Sequence, residues 1–408
     1  MSGDNVRGNV RTGEMRAQMR GRVASKAAVA LPILLLAVQP MRGETPLVVR
    51  DPNASFLDVQ ARRIALENAQ TPRLREALSS LKSCTDATLP GPPAAPLYVP
   101  KNYKGGDHPE ADPLSTMVTE PYFDVQDAVA QGANRYLATG DPREAACVIH
   151  ALLPWARSKA LLNYNAEDEM QVWFQSTWTV ASLSLSVSVI RGEPTLNPAE
   201  RDEVIAWLVA AAHKAVSETR GPNSGTGRNC HFFWRGLAAT AAGVIGNDNE
   251  LYAYGLRAYA TAISEIDSRG AFPLEMEAKD RALHRQGFAI APLVMIAELA
   301  YRQGLNIFDL EEHKRRLGDA IGFLANGIGD PSLVKKYTKE TQDLSLDEDQ
   351  GTTLLAWVEF WNAHSPDPTW ENQLQRPLYD RFLGGSATLY AAPIAGKSLM
   401  TSTAAPAK

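Results

Sequence analysis

Two short polar segments of the sequence could carry acid–base chemistry. Residues 229–231 (Asn-Cys-His) follow a glycine-rich stretch and precede an apolar helical pattern. The second segment runs from Glu275 to Arg281 and continues through His284 and Arg285. An imidazole can exchange a proton near neutral pH, and a guanidinium can bind and stabilise a carboxylate. Polar groups crowded at two helix starts are what the mouth of a helical ring would carry.

Sequence motifs for other chemistries are absent. The chain has no glycine-rich phosphate loop, no Gly-x-Ser-x-Gly and no Cys-x-x-Cys. None of the seven histidines pairs with another at i,i+4, so we expect neither a metal site on one helix nor a cofactor. The net charge is −5, and it becomes −10 when residues 1–43, which carry seven basic and two acidic side chains, are left out. A body this acidic argues against nucleic-acid binding.

The first 43 residues have the pattern of a secretory signal peptide. A basic stretch precedes residues 27–38, twelve apolar residues interrupted by Pro32. Spanning a bilayer takes about 20 residues. We therefore expect cleavage between residues 37 and 46 and a periplasmic protein with no stable membrane anchor; a buried N-terminal helix is the alternative. The expected domain covers residues 44–394, followed by a disordered tail over 395–408, and we expect a monomer.

Helical spacing dominates the remaining sequence. Asp141-Pro142 and Asn197-Pro198 each place a hydrogen-bond acceptor before a proline, which is typical of a helix start. No alternating run is long enough for a sheet. About ten or more amphipathic helices joined by short loops predict an all-α fold, either a large bundle or an (α/α) toroid.

Three further segments lead to specific expectations. Residues 89–112 hold six prolines and predict a long lid loop or a linker. Apolar spacing predicts a helix over residues 310–324, and dense charge predicts a solvated loop over 335–350. In an exported protein, Cys84 and Cys147 could close a 63-residue loop, which would leave Cys230 unpaired.

The sequence resembles the bacterial alginate lyases of polysaccharide lyase family five, most clearly over residues 229–295 and more weakly over about 80–390. That family has an Asn-Asn-His-x-x-Trp motif, then an Arg followed seven positions later by Tyr, then Ala-x-x-Pro. Residues 102–107 are similar to its lid motif, and residues 178–184 and 383–385 also match. The residues in register with the main motif are Asn229, His231, Trp234, Arg281, Ala289 and Pro292.

The resemblance implies a periplasmic (α/α) toroid that cleaves a uronate polysaccharide by metal-independent β-elimination. It implies that Arg281 binds and neutralises the C6 carboxylate, that His231 assists or serves as base, and that Tyr103 on the lid acts on the substrate. It also places a disulfide at Cys84 and Cys147. The implied substrate-binding residues are Asn229, Lys104, Trp178, Trp234 and Arg285.

Two residues depart from the family pattern at positions that matter for the chemistry. Cys230 stands where the family has its second Asn, and Phe288 stands where it has the catalytic Tyr. A phenylalanine cannot transfer a proton. Either Tyr103 or His231 takes over that step, or a polar group one helical turn away (His284 or Arg285) supplies it. A phenylalanine introduced in place of a native tyrosine is a further reading.

Two alternative functions remain open at this stage. The departures are also compatible with a catalytically weakened relative that binds a polyanionic polymer during its export. Helical toroids also include glycoside hydrolases that use paired carboxylates, for which the candidates are Glu275, Glu277 and Asp280.

Overall fold

The computed structural model describes residues 47–84, 89, 91–100, 113–166, 170–217, 225–344 and 354–394. Within these ranges the secondary structure is helical, with two isolated β-bridges and no strand, which confirms the predicted all-α class. No helix there is both long enough and apolar enough to cross a bilayer. The predicted signal peptide and tail, and residues 101–112 of the predicted lid, lie outside the described residues.

The α-helices are α1 Val59–Leu66, α2 Pro72–Ser79, α3 Pro113–Thr139, α4 Pro142–Arg157, α5 Met170–Ile190, α6 Pro198–Ser217, α7 Cys230–Gly246, α8 Asn249–Ser264, α9 Pro273–Met276, α10 Ala282–Arg302, α11 Leu317–Gly329, α12 Val358–His364 and α13 Ala387–Ala391.

Short polar side chains fix where several helices begin. The Asp141 carboxylate accepts the backbone N–H of Arg143, and Pro142 occupies the first position of α4, as the sequence predicts. Asn229 caps α7 by accepting the N–H of His231. Each cap satisfies a backbone donor that the first helical turn leaves without an intrahelical partner, which contributes about 1 kcal/mol.

Helices α5, α7 and α10 form the interior of the protein. Every residue of α5 from Val172 to Ile190 is buried, which is typical of a helix surrounded by others. Helix α7 packs against α5, α6, α8 and α10. A Cβ added at Gly236 would lie 2.7 Å from Ala258 Cβ, so this glycine allows the close approach of α7 and α8. The interior helices therefore hold any side chain at their N-terminal ends in a fixed position.

A disulfide joins Cys84 to Cys147 on α4, the pair that the family resemblance implies. The Glu144 carboxylate accepts hydrogen bonds from the backbone N–H of Cys84 at 2.9 Å and from Ser83 Oγ. Gly132 on α3 lies against the bridge, because a Cβ there would be 2.9 Å from Cys84 Cβ. The bridge thus fastens the segment after α2 to both α3 and α4.

Two predicted boundaries are wrong. Helix α11 begins at Leu317 rather than residue 310, because His313 and Lys314 have φ angles of 49° and 62° and form a tight turn closed by a bridge between Glu312 and Arg315. Left-handed backbone cannot continue an α-helix. The predicted solvated loop over 335–350 begins inside a 3₁₀ turn, Pro331–Lys336. Its residues up to 344 are described, and Gln342 among them is hydrogen-bonded to the start of α10.

Candidate active site

A cavity of about 460 Å³ opens where the N-terminal ends of α5, α7 and α10 come together. Its walls combine five aromatic side chains, two glutamines, two histidines and two arginines. The polar members come from helix starts, where side chains can point past the end of the packed interior. The lining residues are Phe123, Gln171, Phe174, Gln175, Trp178, His231, Arg281, His284, Arg285, Phe288 and Phe382.

The structure brings four of the predicted site residues together in this cavity: His231, Arg281, Trp178 and Arg285. They come from three separate helices or helix starts, so the sequence alone could not show that they meet. Tyr103 and Lys104 lie outside the described residues, and their roles stay predictions.

Two residues predicted to bind substrate do not line the cavity. Asn229 holds the first turn of α7, where its side-chain oxygen is 3.1 Å from the His231 backbone nitrogen. Trp234 has no exposed surface, and its indole N–H donates to the backbone oxygen of Phe288 at 3.1 Å. Trp234 lies behind the cavity wall, and its role in substrate binding stays a prediction. Both side chains position cavity residues.

The imidazole of His231 is held by aromatic stacking. Its ring lies parallel to the Phe174 ring, with centroids 3.6 Å apart and planes 7° apart, and Trp178 is 6.2 Å away. Burial, followed by the nearby Arg285 and Arg235 cations, lowers the pKa of His231 to about 3. At neutral pH the ring is therefore uncharged, so it can accept a proton or donate one N–H but cannot supply a positive charge.

Arg281 ends the 3₁₀ turn Lys279–Arg281 immediately before α10. Its Nη2 lies 3.5 Å from Nε2 of His284, one turn further along. Burial and then the Arg281 and Arg285 cations lower the pKa of His284 to about 4, so this ring is also neutral at pH 7. The cavity thus has two fixed positive charges and two uncharged imidazoles.

A buried carboxylate links the two helix starts. Glu275, on α9, accepts the backbone N–H of Cys230 at 2.6 Å, and Arg285 Nη1 lies 3.7 Å from Cys230 Sγ. Burial raises the pKa of Glu275 and of the Cys230 thiol above their usual values. Cys230 itself is only 1% exposed and does not line the cavity. Glu275 therefore anchors the residue preceding His231 to the segment preceding Arg281.

Replacing Glu275 with alanine should reduce the free energy of unfolding by about 2 kcal/mol, because it leaves a buried N–H without an acceptor and opens a cavity. Urea unfolding followed by circular dichroism measures the change. The matched control is Glu277→Ala, two residues away and exposed, which should change stability by less than about 0.5 kcal/mol. Equal losses in the two variants would contradict the anchoring role.

Sequence analysis missed several residues that build the site. Phe174, Phe123 and Phe382 look like ordinary core residues in the sequence, yet all three line the cavity. Gln342 accepts the backbone N–H of Leu283 at 3.0 Å, in the first turn of α10. Its Nε2 also donates to the Lys279 backbone oxygen at 2.8 Å, so it holds both sides of the turn that carries Arg281. No sequence signal identifies these long-range contacts.

Phe288 belongs to the aromatic wall. Its ring lies 5.7 Å from Trp178 in an edge-on arrangement and 5.1 Å from Trp234. Aromatic pairs in these geometries stabilise the packing by about 1 kcal/mol each. The position that departs from the family pattern is therefore filled by a well-packed ring that offers no proton.

A larger cavity, of about 790 Å³, lies beside α3 and is lined by Lys82, Arg135 and Arg381 together with Asp124, Asp127 and Tyr379. Its arginines are matched by carboxylates: Arg381 pairs with Asp127 at 3.0 Å and Arg135 with Glu144 at 3.3 Å. It contains no imidazole among its described lining residues. The smaller cavity, which does contain imidazoles, is the better candidate for proton chemistry.

Metal-binding geometry is not found in the described ranges. No group of three or more His, Cys, Asp or Glu side chains there is placed to hold a metal ion. The three acidic residues weighed for glycoside hydrolysis, Glu275, Glu277 and Asp280, do not line the cavity.

Comparisons with known proteins identify similar chains. A family model described as "Alginate lyase" matches residues 93–334. A "Polysaccharide lyase" of Stenotrophomonas maltophilia strain K279a is 30% identical over 338 residues, which cover 80% of this chain and 96% of that protein. An "Alginate lyase" of Pseudomonas syringae pv. syringae strain B728a is 27% identical over 317 residues, covering 74% of this chain and 81% of that one.

Solved structures show the same architecture. Alginate lyase A1-III from Sphingomonas species A1 superposes with a TM-score of 0.78 and 35% identity, covering 86% of this chain and 100% of that chain. A tyrosine-to-phenylalanine variant of alginate lyase A1-III, complexed with a tetrasaccharide, has a TM-score of 0.81 and 36% identity over 86% of this chain and 98% of that one. These structures are (α/α) toroids, which confirms the predicted fold.

Proposed function

We propose, since this chain belongs to the alginate lyase family, that it is a periplasmic enzyme that cleaves an acidic, uronate-containing polysaccharide such as polymannuronate by β-elimination. The observation that carries this proposal is the meeting of Arg281, Arg285 and His231 in one cavity, although they come from two separate helix starts. Two cations can stabilise the charge that develops on the carboxylate, and an uncharged imidazole can donate an N–H or accept a proton.

The difficult step in this reaction is removal of the hydrogen on C5, the ring carbon that bears the carboxylate. As the C–H bond breaks, negative charge moves onto the carboxylate oxygens. Cationic hydrogen-bond donors placed at those oxygens stabilise the developing charge, and one such donor is worth about 100- to 1,000-fold in rate. Arg281 and Arg285 are the candidates because both line the cavity and neither loses its proton.

His231 fits the role of an uncharged partner to these arginines. With its pKa lowered to about 3, it adds no third positive charge. Its neutral ring can donate one N–H to the substrate carboxylate or accept a proton from the sugar. Stacking on Phe174 fixes the ring plane, so the ring does not have to be ordered when the substrate binds.

The aromatic wall strengthens these interactions. Trp178, Phe288 and Phe382 line the same cavity as the arginines, and charge interactions strengthen where apolar groups lower the local dielectric constant. Flat apolar faces also suit the C–H faces of a sugar ring. We therefore assign Trp178 to substrate contact, as the sequence predicted.

Export to the periplasm is supported by two features. The basic, then apolar pattern of residues 1–43 is typical of a signal peptide. The Cys84–Cys147 disulfide fits an oxidising compartment.

Incubation of the purified protein with polymannuronate, polyguluronate and polyglucuronate tests the proposal. Each elimination creates a C4=C5 double bond conjugated to the carboxylate, so we expect ultraviolet absorbance to rise with at least one polymer. New reducing ends without a double bond would indicate hydrolysis and contradict β-elimination. No cleavage at high enzyme concentration, together with measurable binding and a gain of cleavage in Phe288→Tyr, would instead support the weakened, polymer-binding alternative.

A further inference from the structure

Only two side chains among the described residues lining the cavity can exchange a proton with a substrate near neutral pH. They are the imidazoles of His231 and His284. The arginines of the cavity stay protonated, and its glutamine and aromatic side chains do not titrate. A β-elimination needs one group to accept the C5 proton and a donor for the departing O4. Among the described residues, the two imidazoles are the candidates for these roles.

His284 is placed next to the group that would hold the carboxylate. Its Nε2 lies 3.5 Å from Nη2 of Arg281. C5 is bonded directly to the carboxylate carbon, so a carboxylate bound by Arg281 brings the C5 hydrogen to the neighbourhood of Nε2. Reach of this kind is the first requirement for a general base.

The contact with Arg281 favours one tautomer of His284. A guanidinium only donates, so Nε2 must be the acceptor and the proton of the neutral ring resides on Nδ1. Nδ1 is buried and has no hydrogen-bond partner among the described residues. When a substrate carboxylate takes the Arg281 N–H, the lone pair on Nε2 is released for the sugar.

We propose that His284 carries the proton from C5 to the leaving O4, an inference that rests on the proposed lyase function. Nε2 accepts the C5 proton, and the electrons of the C–H bond form the C4=C5 double bond. The C4–O4 bond breaks, and O4 leaves with its electron pair and takes the same proton from the imidazolium. The ring returns to its neutral form, so no further reactant is consumed.

Burial and the two neighbouring cations keep His284 uncharged before substrate binds, and a bound carboxylate offsets the cations when the ring must accept a proton. Burial and these cations lower the pKa of His284 to about 4, so the resting ring is neutral and ready to accept a proton. The imidazolium that forms is more acidic than an ordinary one and gives its proton readily to the departing oxygen. Phe288 lies four residues further along α10, on the same helical face. His284 thus lies one helical turn before Phe288, whose ring cannot transfer a proton.

His231 is less suited to the shuttle. Its ring is packed flat against Phe174, whereas the contact that places a base beside Arg281 is made by His284. We assign His231 to holding the substrate carboxylate through one N–H.

One group serving both steps also sets a stereochemical condition. The C5 hydrogen and O4 must lie on the same face of the sugar ring. Mannuronate and glucuronate meet this condition, and guluronate, the C5 epimer of mannuronate, does not. Comparable turnover of polyguluronate and polymannuronate by the wild-type protein would overturn the single-group shuttle without any variant.

Two variants test the assignment on a polymer that the wild-type protein cleaves. His284→Gln keeps a hydrogen-bond acceptor near Arg281, and we expect kcat to fall at least about 100-fold with little change in KM. In His284→Ala, added imidazole should restore part of kcat, because it can occupy the emptied space and carry the proton. A positioning role alone would not produce that rescue. His150→Ala, on the exposed side of α4, is the matched control and should show wild-type kcat and no response to imidazole.

The outcomes separate this inference from the proposed function. Thermal melts establish that each variant is folded; should His284→Ala not fold, the kcat of His284→Gln decides. A His284→Gln kcat within threefold of wild type, or a folded His284→Ala that imidazole does not restore, overturns the assignment while leaving the lyase function standing. A wild-type protein that cleaves none of the polymers contradicts the lyase function itself.

Discussion

Arg281→Ala is expected to lower kcat/KM on the best uronate polymer by about 100- to 1,000-fold, because it removes a cationic donor from the oxygens that gain charge in the transition state. The loss should appear mainly in kcat, since the interaction strengthens as the C5 proton leaves. Arg281→Lys keeps the charge but loses the planar guanidinium that can donate two hydrogen bonds to one carboxylate. Its activity should therefore lie between that of the wild-type protein and that of Arg281→Ala. The activities of the wild-type protein and the two variants are measured as the initial rate at which ultraviolet absorbance rises.

The control for Arg281 is Arg157→Ala. Arg157 lies on the surface of α4, where its guanidinium pairs with Glu203 at 3.3 Å and its side chain is 58% exposed. This variant lowers the net charge by the same amount as Arg281→Ala, so it tests whether the loss comes from the cavity or from long-range attraction of a polyanion. Parallel losses in the two variants, or full activity in Arg281→Ala, would refute the assigned role.

The double variant Cys84→Ala/Cys147→Ala is expected to lose about 4 kcal/mol of unfolding free energy, because the open chain regains the entropy of a loop that spans 63 residues. Alanine is the better replacement, since Cys84 has no exposed surface and a serine hydroxyl would be buried there. Urea unfolding curves of the variant and of the wild type, with and without reductant, measure the difference.

Cys230→Ala controls for the loss of a buried thiol without the loss of a bridge. Cys230 is unpaired and 1% exposed, so its replacement should cost about 1 kcal/mol. If reductant leaves the wild-type midpoint unchanged, the bridge does not stabilise the fold and the expected loss is wrong.

The helical class and several helix starts could be predicted because their causes are local. Asp141-Pro142 specifies the start of α4 within four residues, and the same holds for the Asn229 cap of α7. The start of α11 was misplaced because the apolar spacing continues through His313 and Lys314, whose left-handed backbone ends any helix. Periodicity reports which side chains are apolar but not the sign of φ.

The candidate site could be predicted only in part. His231 and Arg281 could be assigned because they match the family motif, and Arg285 because it lies one helical turn after Arg281. Phe174 and Phe382 could not be singled out, because an aromatic residue facing a cavity has the same sequence context as one in the core. The Glu275 contact to Cys230 spans 45 residues and depends on how α9 packs against α7. The burial of Trp234 beside Phe288 is a tertiary property that the motif does not show.

The burial of α5 bears on how this protein could be re-engineered. Every residue from Val172 to Ile190 is buried, so nearly every exchange there alters packed volume and risks the fold. Libraries aimed at new polymer preferences would therefore do better at Phe123 and Phe382, half-buried rings on other segments that border the same cavity. The substrate preference of such a cavity can change through residues at its edge while the buried helix α5 stays nearly constant.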